Sequence, residues 1–278
     1  MPPEPDARAA LDAAGQLPDA EIDLASVALQ FARLDAPGAD WRAASAHLSD
    51  IARRTVAAAA SSLADDPESR RAALAGVIHG QLGYGGDAES YDDLANANLI
   101  QVADRRRGLP VALGILWLHA AEAAGWPAHG IDFPGHFLIA LEAGRSQCVV
   151  DVFHRGEAMD APALRALIKR FEGPAAELRP GLLRVMDKRE VLLRLQNNIK
   201  LRRLRGGNLA GALTCTEDML RLAPGHGALW REAGLMNHRL ERHGAALACL
   251  ERALAIEPQG EGAARLRALM DELRQRLN

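Results

Sequence analysis

The sequence predicts an α+β fold that is predominantly helical, with a small antiparallel sheet in a first domain and an all-α second domain. Alanine and leucine carry most of the apolar content and aromatic residues contribute only 4%, a composition typical of helices. Two short apolar runs, 137–142 and 147–153, flank a four-residue turn sequence, which indicates a β-hairpin. Beyond residue 188, similar segments recur 34 positions apart, which indicates repeated pairs of helices.

In chain order, residues 1–20 are rich in proline and alanine, and we expect them to be flexible. The first domain is expected to span 21–175 and to begin with amphipathic helices. Gly83-Tyr84-Gly85-Gly86 ends the third helix; no Gly-Lys-Ser/Thr follows it, so we interpret it as a turn and not as a phosphate loop. The helices predicted in this part are 22–34, 39–63, 68–82 and 96–104.

A helix at 110–124 is predicted to be the centre of this domain. Gly108 and Pro110 precede its apolar run and Gly125 follows it, because proline suits a first helical turn and glycine a C-terminal end. Apolar residues keep helical spacing through the run, so we expect this helix to be well buried. A further helix is predicted from 161 to 171.

The hairpin is expected to bring two polar residues together. If Glu142 faces Gln147, the numbers of facing residues add up to about 289, and Asp151 lies opposite Leu138. His136 is two positions from Leu138, and side chains two apart on a strand share a face. A carboxylate beside an imidazole fixes its tautomer and stabilises its protonated form, as in a nucleophilic triad. The pair is also consistent with a structural hydrogen bond in a tight Pro-Gly-His turn, and both interpretations stay open.

Several groups of residues together resemble a known family. They are Asn96-Ala97-Asn98-Leu99, Arg106-Arg107-Gly108-Leu109-Pro110, Phe133-Pro134-Gly135-His136-Phe137-Leu138, and Asp151-Val152-Phe153 with Gly156. Over roughly residues 20–260 the chain resembles the SirB-type transglutaminase-like proteins, whose domain has the papain-like fold. The resemblance implies a cleft with His136 and Asp151 at the catalytic positions, either vestigial or acting as a general base. The candidate binding residues are Arg107, Gly108, Pro110, Pro134, Gly135 and Phe137.

The expected nucleophile is missing. An active papain-like enzyme places a cysteine at the N-terminus of the central helix, where the helix dipole favours its thiolate. Here residues 108–112 read Gly-Leu-Pro-Val-Ala, and the three cysteines of the chain are Cys148, Cys215 and Cys249. The sequence therefore favours a non-catalytic pseudoenzyme with a regulatory role that binds a protein or peptide. The alternative is a hydrolase or transferase of unusual mechanism that uses the His136–Asp151 pair as a general base.

Other candidate sites have weaker support in the sequence. A net charge of −3 argues against bulk binding to nucleic acid or to an anionic membrane, so we expect neither partner. The run 105–107 of three arginines is expected to form local ion pairs with the acids at 87–93. His119 and Glu122 share a helix face but fall short of a metal site, and His154 has no spacing that makes one. We expect no metal and no cofactor.

The C-terminal region, 188–278, repeats with a period of 34 residues, which is the tetratricopeptide period. Gly211-Ala212-Leu213 recurs as Ala245-Ala246-Leu247, and Pro224 recurs as Pro258 at the end of each second helix. Such repeats are typical of protein–protein contact or of scaffolding. The predicted helices are 191–205, 209–222, 227–240, 244–256 and 260–277.

The sequence also gives an expectation about location. The sequence contains no run of about 18 apolar residues, the length needed to span a membrane. It also shows no basic segment followed by an apolar stretch, the pattern of a signal peptide. Three cysteines without a pattern are typical of a reducing compartment. We therefore expect a cytoplasmic protein.

Overall fold

The computed structural model of the chain describes residues 6–61, 65–259 and 262–277. They fall into two units, Pro18–Leu195 on one hand and Met1–Leu17 with Gln196–Asn278 on the other. Two units agree in number with the two expected domains, whose limits of 21–175 and 188–278 stay a prediction. Four parts of the predicted segments lie outside the described residues: 1–5, the helix end at Leu63, the helix start at 260–261, and Asn278.

Helices dominate the described chain, as the composition predicted. Several begin at an aspartate whose side chain accepts a hydrogen bond from a backbone N–H of the first turn, namely Asp6, Asp23, Asp66 and Asp160. The α-helices are α1 (Ala7–Gly15), α2 (Leu24–Asp35), α3 (Trp41–Ser61), α4 (Pro67–Ala75), α5 (Leu99–Arg105), α6 (Pro110–Ala123), α7 (Ala161–Glu172), α8 (Lys188–Arg205), α9 (Leu209–Leu222), α10 (Gly227–Arg239), α11 (His243–Ile256) and α12 (Ala263–Leu277). The predicted helix 68–82 is divided, because α4 is followed by a π-helical segment, Gly76–Gln81.

The strands all lie in the unit Pro18–Leu195 among the described residues. They are β1 (Gly85–Gly86), β2 (Arg107–Gly108), β3 (Ala128–Phe133), β4 (His136–Ala143), β5 (Ser146–Asp151), β6 (Glu157–Ala158) and β7 (Arg184–Met186). Five of them form an antiparallel sheet in the order β6–β5–β4–β3–β7, and β1 pairs with β2 in parallel. Glu142 faces Gln147 and Ile139 faces Val150, which is the register that the sequence predicted.

Helix α6 is the centre of this unit. Every residue from Pro110 to Trp117 is buried, and its apolar residues surround the whole circumference, as expected for an enclosed helix. Helix α3 and strand β4 pack against it. Gly114 faces Phe137 of β4 so closely that a Cβ at this position would overlap the phenyl ring. The glycine therefore allows the helix and the sheet to approach each other.

The other unit contains the predicted repeats. Helix α9 ends before Pro224 and α11 ends before Pro258, at the offset that the sequence showed. Ala212 of α9 and Ala246 of α11 occupy equivalent positions, and both are fully buried. Helix α10 packs on α9 and on α11, and α12 packs on α11. This is the arrangement of helical pairs that a tetratricopeptide period predicts.

The N-terminal segment corrects an expectation. Residues 1–20 were expected to be flexible, but α1 packs on α9 with Leu11 fully buried. Arg8 forms an ion pair with Asp218 at 2.8 Å, and Gly15 lies directly against the backbone of Arg221. The buried residues of α1 are Ala7, Leu11 and Ala14, which are spaced three or four apart and make one narrow face. An alanine-rich composition concealed that face.

The contact between α6 and the sheet predicts the effect of one methyl group. We expect Gly114→Ala to destabilise the protein by about 1–2 kcal/mol, because overpacking against Phe137 outweighs the better helix propensity of alanine. Gly76→Ala is the matched control: Gly76 is exposed, has helical φ and ψ, and has open space at its Cβ position. It should be neutral or stabilising by up to about 1 kcal/mol. Urea unfolding measures both, and equal effects of the two substitutions would contradict the close approach.

Candidate functional site

The end of β5 gathers polar side chains around one carboxylate. Asp151 Oδ2 lies 3.0 Å from His136 Nε2 and 2.8 Å from His154 Nδ1. Asp151 Oδ1 accepts hydrogen bonds from the backbone N–H groups of Phe153 and His154, at 2.9 and 3.3 Å. His136 and Asp151 are 6% and 2% exposed, whereas the His154 side chain keeps 46% of its surface exposed. The structure therefore brings the predicted pair together, and His154 extends it to the surface.

Aromatic rings enclose the His136 imidazole. Phe171 of α7 stacks on it at a centroid distance of 6.0 Å, and Phe153 meets it at 6.4 Å in a perpendicular arrangement. The Phe153 ring also packs on β1, since a Cβ on Gly86 would lie 2.5 Å from it. Gly135 has a φ of +70° where the chain turns into β4, and it leaves room for the Phe171 ring. Phe153 thus contacts both the imidazole and the strand pair that precedes α6.

The two histidines determine the charge state of Asp151. Burial, the largest single effect, opposes ionisation of this carboxyl group. The hydrogen bonds and charges of His136 and then of His154 together outweigh burial, so the pKa of Asp151 is lowered to about 2. An ionised carboxylate in this position orients the His136 imidazole, which is the role of the third residue in a triad.

The same three side chains have the donor set of a metal site. One carboxylate oxygen and two imidazole nitrogens, from Asp151, His136 and His154, lie within 4.8 Å of one another. Zinc binds such nitrogen and oxygen ligands. Both nitrogens are directed at the same oxygen, Asp151 Oδ2, so the three side chains form two hydrogen bonds to one carboxylate.

The sequence did not predict that His154 belongs to this cluster. The one indication was its position three residues after Asp151, just beyond the strand.

A cavity of about 740 Å³ opens beside His154. It is bordered by the β1–β2 pair, by Arg71 of α4 and by the segment 153–157 that follows β5. One acidic residue, Glu157, lines it together with five arginines, which are Arg71, Arg105, Arg106, Arg107 and Arg155. The sequence singled out only the run 105–107, and nothing in the local pattern of Arg71 or Arg155 indicates that they join it.

The predicted binding residues do not form one surface. Arg107 lines the cavity. Gly108 and Pro110 are buried where β2 leads into α6, so they shape the backbone there. Pro134 and Gly135 form the turn between β3 and β4, and Gly135 is exposed beside Phe171. Only the first of these five offers a side chain to the cavity.

Phe137 belongs to the core, which corrects the expectation that it borders the cleft. Its side chain is buried and lies against Gly114 of α6 and Gly130 of β3. Phe137 follows His136 directly on β4, and neighbouring residues of a strand point to opposite faces of the sheet. The two side chains are therefore on different sides.

The described first turn of α6 holds no cysteine, serine or threonine. The first turn of that helix holds Pro110, Val111 and Ala112. Cys148 lies on β5, where burial, followed by the charge of Glu68, raises its pKa to about 11. Burial also raises the pKa of Cys249. Both are protonated thiols at neutral pH, and a thiol is a far weaker nucleophile than a thiolate.

The lowered pKa of Asp151 predicts how its contribution to stability depends on pH. A carboxyl group with a folded pKa of about 2 and an ordinary value of 3.8 stabilises the folded state above pH 3.8, and this stabilisation is lost as pH falls towards 2. We expect Asp151→Asn to cost about 2 kcal/mol at pH 7 and progressively less below pH 4. Urea unfolding over this pH range measures the difference between the two proteins.

Asp160→Asn is the control for this substitution, because Asp160 is an exposed cap of α7 and asparagine caps a helix equally well. It should change the free energy of unfolding by less than about 0.5 kcal/mol. If the effect of Asp151→Asn were the same at pH 7 and at pH 3, the ionised carboxylate would not be the stabilising species.

Comparison with known proteins places the chain in a family. Residues 42–197 match the Transglutaminase-like superfamily, and residues 199–271 match the Tetratricopeptide repeat. A UPF0162 protein of Vibrio cholerae is 32% identical over 179 residues, which are 64% of this chain and 66% of that protein. A UPF0162 protein of Xylella fastidiosa is 30% identical over 192 residues, 68% of each protein. Human F-box only protein 21 is 32% identical over 77 residues, which are 28% of this chain and 12% of that protein.

No solved structure matches the chain significantly. The alignments cover about two thirds of the length of the two UPF0162 proteins. The superfamily match covers more than half of the chain and contains α6, the sheet and the His136–Asp151–His154 cluster. The chain therefore belongs to the transglutaminase-like superfamily and carries tetratricopeptide repeats after that domain.

Proposed function

We propose that this protein is a non-catalytic transglutaminase-like protein whose cleft binds a peptide or protein segment. The main observation behind the proposal is the first turn of α6, where Pro110, Val111 and Ala112 occupy the positions at which an active enzyme has its cysteine. A histidine and an aspartate alone supply no side-chain nucleophile for covalent catalysis. In this proposal the His136–Asp151 pair holds the end of β5 in place and shapes the wall of the cleft.

The same proposal has three further parts: the protein is one of the SirB-type proteins, it has a regulatory role, and it is cytoplasmic. The motif groups around Arg106–Pro110 and Phe133–Leu138 support the first. The repeats support a regulatory role, because tetratricopeptide units commonly hold other proteins. The three cysteines are free, as expected in a reducing compartment. No helix in the described part of the chain combines the length and the apolar character that crossing a bilayer requires.

Site-specific photo-crosslinking tests the binding function. Ala88 is exposed and lines the cavity, so a photo-reactive amino acid placed there would lie within reach of a bound segment without removing a charge. We expect crosslinked polypeptides in cells at this position. Ala166, an exposed alanine of α7 outside the cavity lining, is the control and should give none. Equal crosslinking at the two positions, or none at either, would contradict a binding cleft.

A second candidate function is general-base catalysis. Asp151 orients His154 as well as His136, and the exposed His154 stands at the cavity, where it could accept a proton from water or from a substrate. If this is the function, Asp151→Asn should lower the hydrolysis rate of a small activated ester by about 10²–10⁴-fold. Under the binding function the wild-type rate should equal that of buffer. The two candidates therefore differ in the rate of the unmodified protein.

A further inference from the structure

We propose that the occupant of the cavity beside His154 is an acidic peptide segment, held by Arg106, Arg107 and Arg155. The inference rests on the proposed binding function and specifies the chemistry of the partner. Its first support is local charge: five arginines and one acid line the cavity, although the protein as a whole carries a net charge of −3. A positive cavity on a negative protein attracts an acidic ligand to one place.

Two of the five arginines are already neutralised. Arg105 forms ion pairs with Asp87 at 3.1 Å and with Asp93 at 3.9 Å, as expected from the sequence. Arg71 pairs with Glu68 through two nitrogens. These guanidinium groups have their carboxylates within the protein, so they contribute little to the net charge of the cavity.

The guanidinium groups of the other three arginines have no acidic partner in the described part of the chain. Arg106 contacts His47 and donates to the Tyr84 hydroxyl at 2.6 Å. Both partners are neutral at pH 7: burial, followed by the charge of Arg106, lowers the pKa of His47, and burial raises the pKa of Tyr84 to about 12. The Arg106 guanidinium is therefore fixed in position without a carboxylate partner, and Arg106 also borders a second cavity, which His47, Asp40 and Asp104 line.

Arg155 and Arg107 complete the set. Arg155 donates to the backbone carbonyl of His79 at 2.9 Å, which orients the guanidinium without neutralising it. Arg107 is exposed, and no hydrogen bond or ion pair of its side chain is found among residues 6–61, 65–259 and 262–277. Three charges against the single Glu157 make a site for carboxylates, to which guanidinium binds through two parallel hydrogen bonds.

The backbone gives independent support. Arg106 and Arg155 have φ angles of 58° and 57°, in the left-handed region that residues other than glycine rarely adopt. Arg106 has this conformation as the C-cap of α5 and Arg155 has it in the turn that follows β5, so the course of the backbone places both residues beside the cavity.

The same geometry argues against a phosphate loop and against nucleic acid. The N–H groups of Gly85 and Gly86 donate to the carbonyls of Arg106 and Phe153, so this glycine pair offers no free donors to a phosphate. Nucleic-acid sites add stacking aromatic rings to positive charge, but the cavity has one, Phe153, which packs on Gly86. A volume of about 740 Å³ has room for several residues of a peptide.

Fluorescence anisotropy with the full chain tests the proposal. The probes are a labelled glutamate-rich peptide and its counterpart with glutamine at every glutamate position. We expect the glutamate peptide to bind about tenfold or more tightly than the glutamine peptide, and its affinity to fall as salt rises. Arg107→Glu should lower its affinity by about tenfold or more. Arg107→Lys should bind more tightly than Arg107→Glu but less tightly than wild type, because lysine keeps the charge and loses the two parallel hydrogen bonds.

Arg145→Glu is the matched control, because Arg145 is exposed in the β4–β5 turn, outside the cavity lining, and the change in net charge is the same. It should leave the affinity within about twofold of wild type. Thermal midpoints check that each variant is folded; Arg107 lies on the surface, so its substitution should not unfold the protein.

The outcomes separate the two proposals. Equal binding of the glutamate and glutamine peptides overturns the acidic partner while a peptide-binding cleft remains. An equal loss for Arg107→Glu and Arg145→Glu means that net charge alone is responsible, and this also overturns the site. Tighter binding of an oligonucleotide than of the glutamate peptide overturns it in favour of nucleic acid. No binding of either peptide, with crosslinks formed at Ala88, overturns the acidic partner only.

Discussion

The enclosure of helix α6 is the constraint on which the rest of the first unit depends. A helix that is apolar on every side must be covered on every side, here by α3 and by the sheet among other elements. Gly114 determines how closely β4 approaches, because it makes room for the Phe137 ring. Once Phe137 faces the helix, the alternation of a strand turns His136 towards α7 and Phe171. The position of the imidazole is therefore a consequence of core packing.

Asp151 explains why the imidazole needs no nucleophile to be held in place. A buried carboxylate is unfavourable unless it is paired, and this one has an imidazole on each side and two backbone N–H groups. The same hydrogen bonds determine the course of the chain after β5, where Phe153 and His154 begin the wall of the cavity. Asp151 thus holds the imidazole and also positions residues of the cavity wall, and neither contact requires a cysteine at α6.

The sequence predicted the elements that depend on local pattern. The register of β4 with β5 and the period of the repeats follow from spacing, and both were confirmed by the structure or the comparisons. Most of the predicted helices are present with bounds a few residues away, but 68–82 is divided and α1 was not predicted. It missed β3, in whose sequence Gly130 breaks the run of apolar side chains, although the strand itself is continuous. It also missed β1, β2, β6 and β7, which have only two or three residues each. Of the candidate site, the His136–Asp151 pair was predicted, because the alternation of side chains along paired strands places the two residues together. The cavity was not, because Arg71 and Arg155 join the run 105–107 only through tertiary structure.

The net charge calculated from composition also does not show how charge is distributed over the surface of this protein. A net charge of −3 describes the average over the whole molecule, and it predicts repulsion of an acidic partner. Ion pairing changes that prediction locally, since Arg71 and Arg105 find carboxylates while Arg106, Arg107 and Arg155 do not. An acidic segment would then be repelled by most of the surface and attracted at one cavity. Such a contrast favours one orientation of approach and gives specificity more than raw affinity. Local pairing of charges, and not their total, decides which partner this surface can accept.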